Sequence, residues 1–452
     1  MFKRFLPLTT GILLLVSLVG AATDVAAVES AVVVPDPVLE WIAVANDTIL
    51  AAHTSPPVAG RQMAVIAASM FDAVNGIEGH YNPIHVTGKP RGSVSAPAAA
   101  IQAAYASLIK TYSSPAQVAS LTARRDASLA VLASGGGSSA SSIQAGVVWG
   151  QAVADQMADW RSSDGFTPPA PPFLGVLGIV GKPAAIGAWR PTPFGNGAPG
   201  APGANYELAT TTPWVLTRPS QFRPPLMPAL TSAEYAADYN EVKTMGALTG
   251  SLRSSDQSDL ALFWAGATPL YWNRAALQLA PSRALTLSQN ARLFARLNLA
   301  MFDTFIACWD AKYRYVTWRP IDAIRGGDLD GNDGTQVDAA WRPWFDVVPT
   351  GTPAIPEYPS GHSAVSGAAG FVLAAAFGDN TPFSLTSEIL PGTQRVYASF
   401  SAAVADVNDA RVFAGIHFRT ACVRANALGQ TVAQFVLQNA ARSKDGEGDN
   451  EQ

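Results

Sequence analysis

Charge is scarce in this chain. Asp, Glu, Lys and Arg make up only 14% of its 452 residues, and the net charge is −4. A nucleic-acid or anionic-membrane surface needs a basic excess, so neither partner is expected. Cysteine is scarcer: Cys308 and Cys422 are the only two, too few for a disulfide framework. Five histidines are present. Long apolar runs are also missing. "GILLLVSLVG" (Gly11 to Gly20) and "AAGFVLAAAFG" (Ala368 to Gly378) are about half of the ~20 residues that cross a bilayer, so no integral membrane segment is expected in the mature form.

What is present begins with an export signal. Lys3 and Arg4 precede the first apolar run, and small residues follow it. Cleavage after Ala21 or Ala27 is expected, giving a signal peptide over 1–27 and a secreted or periplasmic protein. With 48% hydrophobic residues the chain can bury a large core. Abundant Ala and Gly point to closely packed helices.

Apolar spacing of three and four residues predicts helices over Asp36 to His53, Pro56 to Ile77, Ser95 to Tyr112, Ser114 to Ser134 and Ser141 to Gly165. Several open on Ser followed by Pro, a helix-start pattern. Residues 166–230 are rich in Pro and Gly, which argues against regular helix. Trp189, Trp214, Phe222 and Leu226 within them argue for an ordered connector laid over the surface, near a site mouth. Helices resume at Thr231, where Glu234 completes a capping-box pattern. They continue over Ser255 to Ala267 and Thr286 to Tyr313, then Ser360 to Phe377, about Thr393 to Phe413, and His417 to about Ala440. No useful alternating strand pattern appears. The expected fold is all-α: helical halves over 28–165 and 231–440, the 166–230 connector between them, and a polar tail over 441–452.

Three clusters carry chemistry. "KYRYVTWRP" places Lys312 seven residues before Arg319, "PSGH" contains Ser360, Gly361 and His362, and "RVFAGIH" places Arg411 six residues before His417. Three cations suit an oxyanion, arginine with a planar fork of donors. Ser360 and Gly361 lie at a predicted helix start, where free amides and the helix dipole favour an anion. Gly361 lets an oxyanion approach its amide. Two histidines add a ligand or nucleophile and a proton carrier. His53, His80 and His85 fall outside these motifs and read as structural or surface residues. "DLDGNDGTQVD" (Asp328 to Asp338) does not fit a calcium loop, since Asp333 occupies the glycine position, and reads as a turn.

In this order the clusters resemble the signature of the vanadium-dependent haloperoxidases and the related acid phosphatases of the type 2 phosphatidic acid phosphatase superfamily: Lys-x6-Arg-Pro, Pro-Ser-Gly-His, Ser-Arg-x5-His-x3-Asp. The resemblance covers residues 312–421 and implies a helical fold of two bundles. It implies vanadate as cofactor, with vanadium on His417, its oxygens held by Lys312, Arg319, Ser360, Gly361 and Arg411, and His362 as acid/base. Halide and hydrogen peroxide would be the substrates, Lys312 polarising the bound peroxide, with a hypohalous acid equivalent passing to a small organic acceptor. In a phosphatase His417 would instead be the nucleophile toward a phosphate ester. A protein that keeps only oxyanion binding is the third alternative.

Three positions depart from the family pattern. Ala410 stands where Ser is usual, and Ala421 where the Asp that orients the histidine is usual. Asp406, Asp409 or a backbone carbonyl could serve His417 instead. Ile355 stands where halogenating members tend to carry His or Phe. Cys308 and Cys422 flank groups that should converge on one anion, so a disulfide between them is a hypothesis for an oxidising compartment.

Overall fold

The computed structural model describes residues 36–171, 173–174, 185–191, 200–349 and 351–444. The expected signal peptide lies outside them, as do parts of the connector and the end of the tail. Thirteen α-helices among these residues carry the architecture.

The first five are α1 (Pro37–Ala51), α2 (Pro56–Glu78), α3 (Ala96–Thr111), α4 (Pro115–Ser134) and α5 (Ala140–Ser162). Proline stands in the first turn of each of the first four, where no amide hydrogen is needed. Asp36 caps α1, accepting from the Val38 amide at 2.7 Å, a bond of a kind that stabilises a helix by ~1 kcal/mol. Small residues set the packing of α3 on α5: a side chain at Gly150 would overlap the Ala99 carbonyl.

The remaining helices are α6 (Ala233–Met245), α7 (Ser255–Phe263), α8 (Thr268–Leu279), α9 (Leu287–Tyr315), α10 (Pro320–Arg325), α11 (Gly361–Phe377), α12 (Phe400–Phe413) and α13 (Arg419–Asn439). α9 is the spine. It is buried along most of its 29 residues and packs on α2 from the first half and on α11 and α13 from the second. One hydrophobic core therefore runs from Val38 and Trp41 through Phe302 and Leu373 to Val436. Gly429 of α13 sits where any side chain would meet the Ala364 carbonyl of α11.

The all-α reading holds, with local differences. Ser232, not Thr231, caps α6, accepting from the Tyr235 amide. The helix expected from about Thr393 begins at Phe400. Before it lies a two-stranded antiparallel ribbon, β1 (Phe383–Thr386) with β2 (Gln394–Tyr397). Four residues per strand are too few for a period-two pattern to stand out. In the connector Trp189 is buried and Trp214 and Phe222 pack on the core, whereas Leu226 is exposed. Asp330 organises the 328–338 turn, accepting from the Asn332 amide and the Thr335 hydroxyl.

Candidate active site

Each cluster falls at a helix end facing the same point. Lys312 lies in the last turn of α9, and Arg319 precedes α10. Ser360 caps α11, Gly361 and His362 opening it. Arg411 lies in the last turn of α12, and His417 precedes α13. The structure thus brings all seven predicted site residues together. Arg319, Gly361, His362, Arg411 and His417 line one cavity of about 650 Å³. Lys312 and Ser360 are fully buried and are not among its lining residues.

The cations are held by backbone carbonyls rather than by carboxylates. Lys312 Nζ donates to Pro356 O and Glu357 O, both at 2.9 Å. Arg319 donates to Ile355 O at 2.9 Å and Ile416 O at 2.8 Å. Arg411 donates to Trp264 O at 3.0 Å. Carbonyls orient a cation but do not neutralise it. Buried charge costs several kcal/mol per ion unless compensated, so the cluster is poised for an anion. Burial accordingly lowers Lys312 to about 8 and Arg319 and Arg411 to about 10.

His417 meets a carboxylate that the motifs did not point to. Its Nδ1 lies 2.9 Å from Glu357 Oε1, which also accepts from the Phe418 amide at 3.0 Å. A carboxylate oxygen taking both bonds assigns the proton to Nδ1 and leaves the lone pair on Nε2. That lone pair accepts from Arg319 Nη1 at 3.2 Å. Burial pushes Glu357 up to about 7, with Arg319 and Lys312 pulling it down. Burial, then Arg319 and Lys312, holds His417 well below the usual histidine value.

Glu357 thus takes the place of the Asp absent at Ala421. Asp406 and Asp409 do not: Asp409 pairs with Arg419, and Asp406 interacts with Tyr397. Ala421 contributes its carbonyl to the Ser360 amide at 3.2 Å. Glu357 immediately precedes "YPSGH", the only signal for it; the bond to His417 spans 60 residues.

His362 is set differently. Its Nε2 lies 3.2 Å from Gly266 O. A carbonyl only accepts, so Nε2 carries the hydrogen and Nδ1 the lone pair. Burial first and Arg411 second hold His362 well below its usual value, so it is neutral near pH 7. Gly361 has a further reason to be glycine: a Cβ there would lie 3.1 Å from the Trp309 ring.

The thiols are not bridged. Cys308 and Cys422 are both free and buried. Cys308 instead lies 3.5 Å from Pro359 O, and burial pushes the thiols up to about 11 and about 12. Their nearness in sequence to Lys312 and His417 put both cysteines near the site but could not set the direction of either sulfur. His85 stacks on Trp160 at 4.3 Å, and His80 is exposed beside Glu78. His53, read as a structural or surface residue, is exposed and also lines the cavity.

The residues fit a tetrahedral oxyanion such as vanadate or phosphate. Arg319 Nη2 and Arg411 Nε are buried donors with no partner among the described residues, a costly state unless a ligand satisfies them. With Glu357 ionised, three cations and one carboxylate leave two positive charges, which suits a dianion.

Residues 292–446 match the family model of the VCPO second helical-bundle domain. Vanadium chloroperoxidase of Curvularia inaequalis is 28% identical over 162 residues, 30% of this chain. The matched segment spans about a quarter (26%) of that relative. Among solved structures, a bacterial vanadium-dependent iodoperoxidase is similar at TM-score 0.74 and 25% identity, over 91% of this chain and 98% of that one. A holo-type bacterial vanadium-dependent chloroperoxidase shares the fold at TM-score 0.63 and 18% identity, over 84% of this chain and 91% of the other.

Proposed function

This chain belongs to the superfamily of the vanadium-dependent haloperoxidases, and we propose that it oxidises halide with hydrogen peroxide to a hypohalous acid equivalent. The observation that carries this reading is a pair of buried arginine donors without partners among the described residues, beside a histidine whose lone pair is fixed on Nε2. His417 Nε2 would be the ligand atom for vanadium. Lys312, Arg319, Ser360, the Gly361 amide and Arg411 would hold the oxygens. When bound, vanadate supplies Lewis-acid activation of peroxide without changing oxidation state.

The chain's own residues do the rest. Lys312, kept in place by two carbonyls, would present positive charge to an oxyanion in the socket. His362 enters neutral, and its Nδ1 lone pair takes the proton that peroxide gives up. A bound anion offsets Arg411, making that transfer easier. Glu357 keeps His417 in one tautomer throughout, as carboxylates behind metal-bound histidines do. We place the protein outside the cytoplasm, after removal of residues 1–27.

A phosphatase reading uses the same geometry, with His417 Nε2 as nucleophile toward a phosphate ester. One set of assays separates the readings. Protein lacking residues 1–27 is tested with and without vanadate for bromination, iodination and phosphate-ester hydrolysis. Vanadate-dependent halogenation that disappears in His417→Ala supports the haloperoxidase. Ester hydrolysis inhibited by vanadate overturns it in favour of the phosphatase. Vanadate binding with neither activity leaves an oxyanion-binding protein.

A further inference from the structure

Each turnover of the proposed reaction takes up one proton. Halide, hydrogen peroxide and one proton give hypohalous acid and water, the halide being oxidised and the peroxide reduced. Of the two hydrogens in that water, one is peroxide's own, held meanwhile by His362. The other comes from solvent, through a cavity whose walls include Leu50, Leu270, Phe305 and Phe345. Such side chains neither give nor take protons.

One wall residue does both. Glu388 is the single carboxylate among the described residues that line the cavity. Its place is well fixed. Arg274 Nη2 donates to Glu388 Oε2 at 2.8 Å. The preceding Ser387 hydroxyl donates to Phe263 O at 2.8 Å and accepts from the Ile389 and Leu390 amides at 3.2 and 3.3 Å. The loop carrying Glu388 is thereby tied to the end of α7. The second carboxylate oxygen, Oε1, lies against Gly266, where any side chain would overlap it. Gly266 is the residue whose carbonyl holds His362 Nε2. The Glu388 side chain is 16% exposed. It therefore touches solvent on one side and the support of His362 on the other. Arg274 and Tyr271 of α8 adjoin it, and His53, His362, Arg319 and Arg411 share the cavity with it.

Resting on the haloperoxidase reading, we infer that Glu388 is a further proton carrier of the reaction, passing the solvent proton to His362. His362 gives the departing oxygen its first proton from Nδ1. Glu388 then reprotonates Nδ1, and a second transfer completes the water molecule. In the relay step the carboxyl O–H bond breaks, an N–H bond forms, and the carboxylate regains a proton from solvent. The Gly266 carbonyl has no hydrogen to exchange, so the proton crosses on cavity water. Arg274 stabilises the carboxylate left behind through a charge-assisted bond.

The test sets turnover beside proton exchange. In vanadate-loaded protein, Glu388→Gln should lower kcat for bromide oxidation by ~10²-fold. It should leave vanadate retention and the KM for peroxide unchanged, and Glu388→Asp should recover part of the loss. The loss should shrink as pH falls, because hydronium then supplies the proton directly. Arg274→Met breaks the same ion pair but keeps the carboxylate, and should lose much less than Glu388→Gln. His53→Gln, on the same cavity, should match wild type, and thermal melting checks the folding of each variant. A second readout needs no vanadate. Solvent exchange of the His362 ring hydrogen, followed by heteronuclear NMR of histidine-labelled protein and assigned with His362→Ala, should slow in Glu388→Gln. Unchanged turnover in Glu388→Gln, an equal loss in Arg274→Met, or unchanged ring-hydrogen exchange overturns the inference. If wild type oxidises no halide, the proposed function fails, and exchange alone decides: slowing in Glu388→Gln still supports the carrier, and no slowing overturns it.

Discussion

His362 and His417 face the same cavity, yet the protein holds them by opposite means. Behind His417 stands a buried carboxylate, Glu357, with Phe418 N–H completing the bond set. Behind His362 stands the Gly266 carbonyl. A carboxylate fixes the tautomer and raises the basicity of the far nitrogen, which suits a ligand or nucleophile. A carbonyl orients a ring without adding charge, so its proton affinity follows the cavity's contents, which suits a proton carrier. The shared pattern of two buried histidines near three cations therefore suits the two roles proposed for them, divided by what lies on the far side of each ring.

The contrast can be broken most severely at His417. His417→Ala should reduce turnover to background and abolish vanadate retention, measured by halogenation assay and metal analysis after gel filtration. His362→Ala should lose turnover by ~10²–10⁴-fold while retaining vanadate. Equal loss of vanadate in both variants would erase the distinction. Glu357→Gln should weaken vanadate affinity by ~10–100-fold, since a neutral amide holds the ring less firmly than a carboxylate, with Glu357→Asp recovering part of it.

A smaller effect sharpens the comparison through pH. Lys312 lies at about 8 because burial disfavours its charge. Below that pH it is protonated and attracts the anion; above it, the attraction is lost. Vanadate or phosphate affinity should therefore fall as pH rises through about 8, and Lys312→Met should remove that limb of a calorimetric profile. The smallest effect concerns the thiols. Unreduced, denatured protein should titrate two free thiols, and reductant should leave the melting temperature unchanged.

Much of the site was legible because its residues come in short local motifs. Ser360 and Gly361 share one helix start, and Lys312 and Arg319 flank one helix end. Glu357 was not assigned a role, although it adjoins the motif. Its partner His417 is 60 residues away, and a lone carboxylate in a sequence carries no mark of burial. Asp406 and Asp409 were nearer His417 in sequence, but helix α12 directs them to Tyr397 and Arg419 instead. His53 offered no signal either: it reaches the cavity because α2 and α9 pack, bringing the end of α1 over a site built by the second half.

From sequence alone came the helical class, set by apolar periodicity and proline-led helix starts, and the inventory of an oxyanion socket, set by three clusters of cations, histidines and small residues. Tertiary structure decided which carboxylate serves His417, that Cys308 and Cys422 stay unbridged, and that the socket opens into a large apolar cavity. Periodicity and motifs are local properties of the chain. A hydrogen-bond partner, the direction of a sulfur and an enclosed volume depend on distances between distant segments, which exist only once the core has packed.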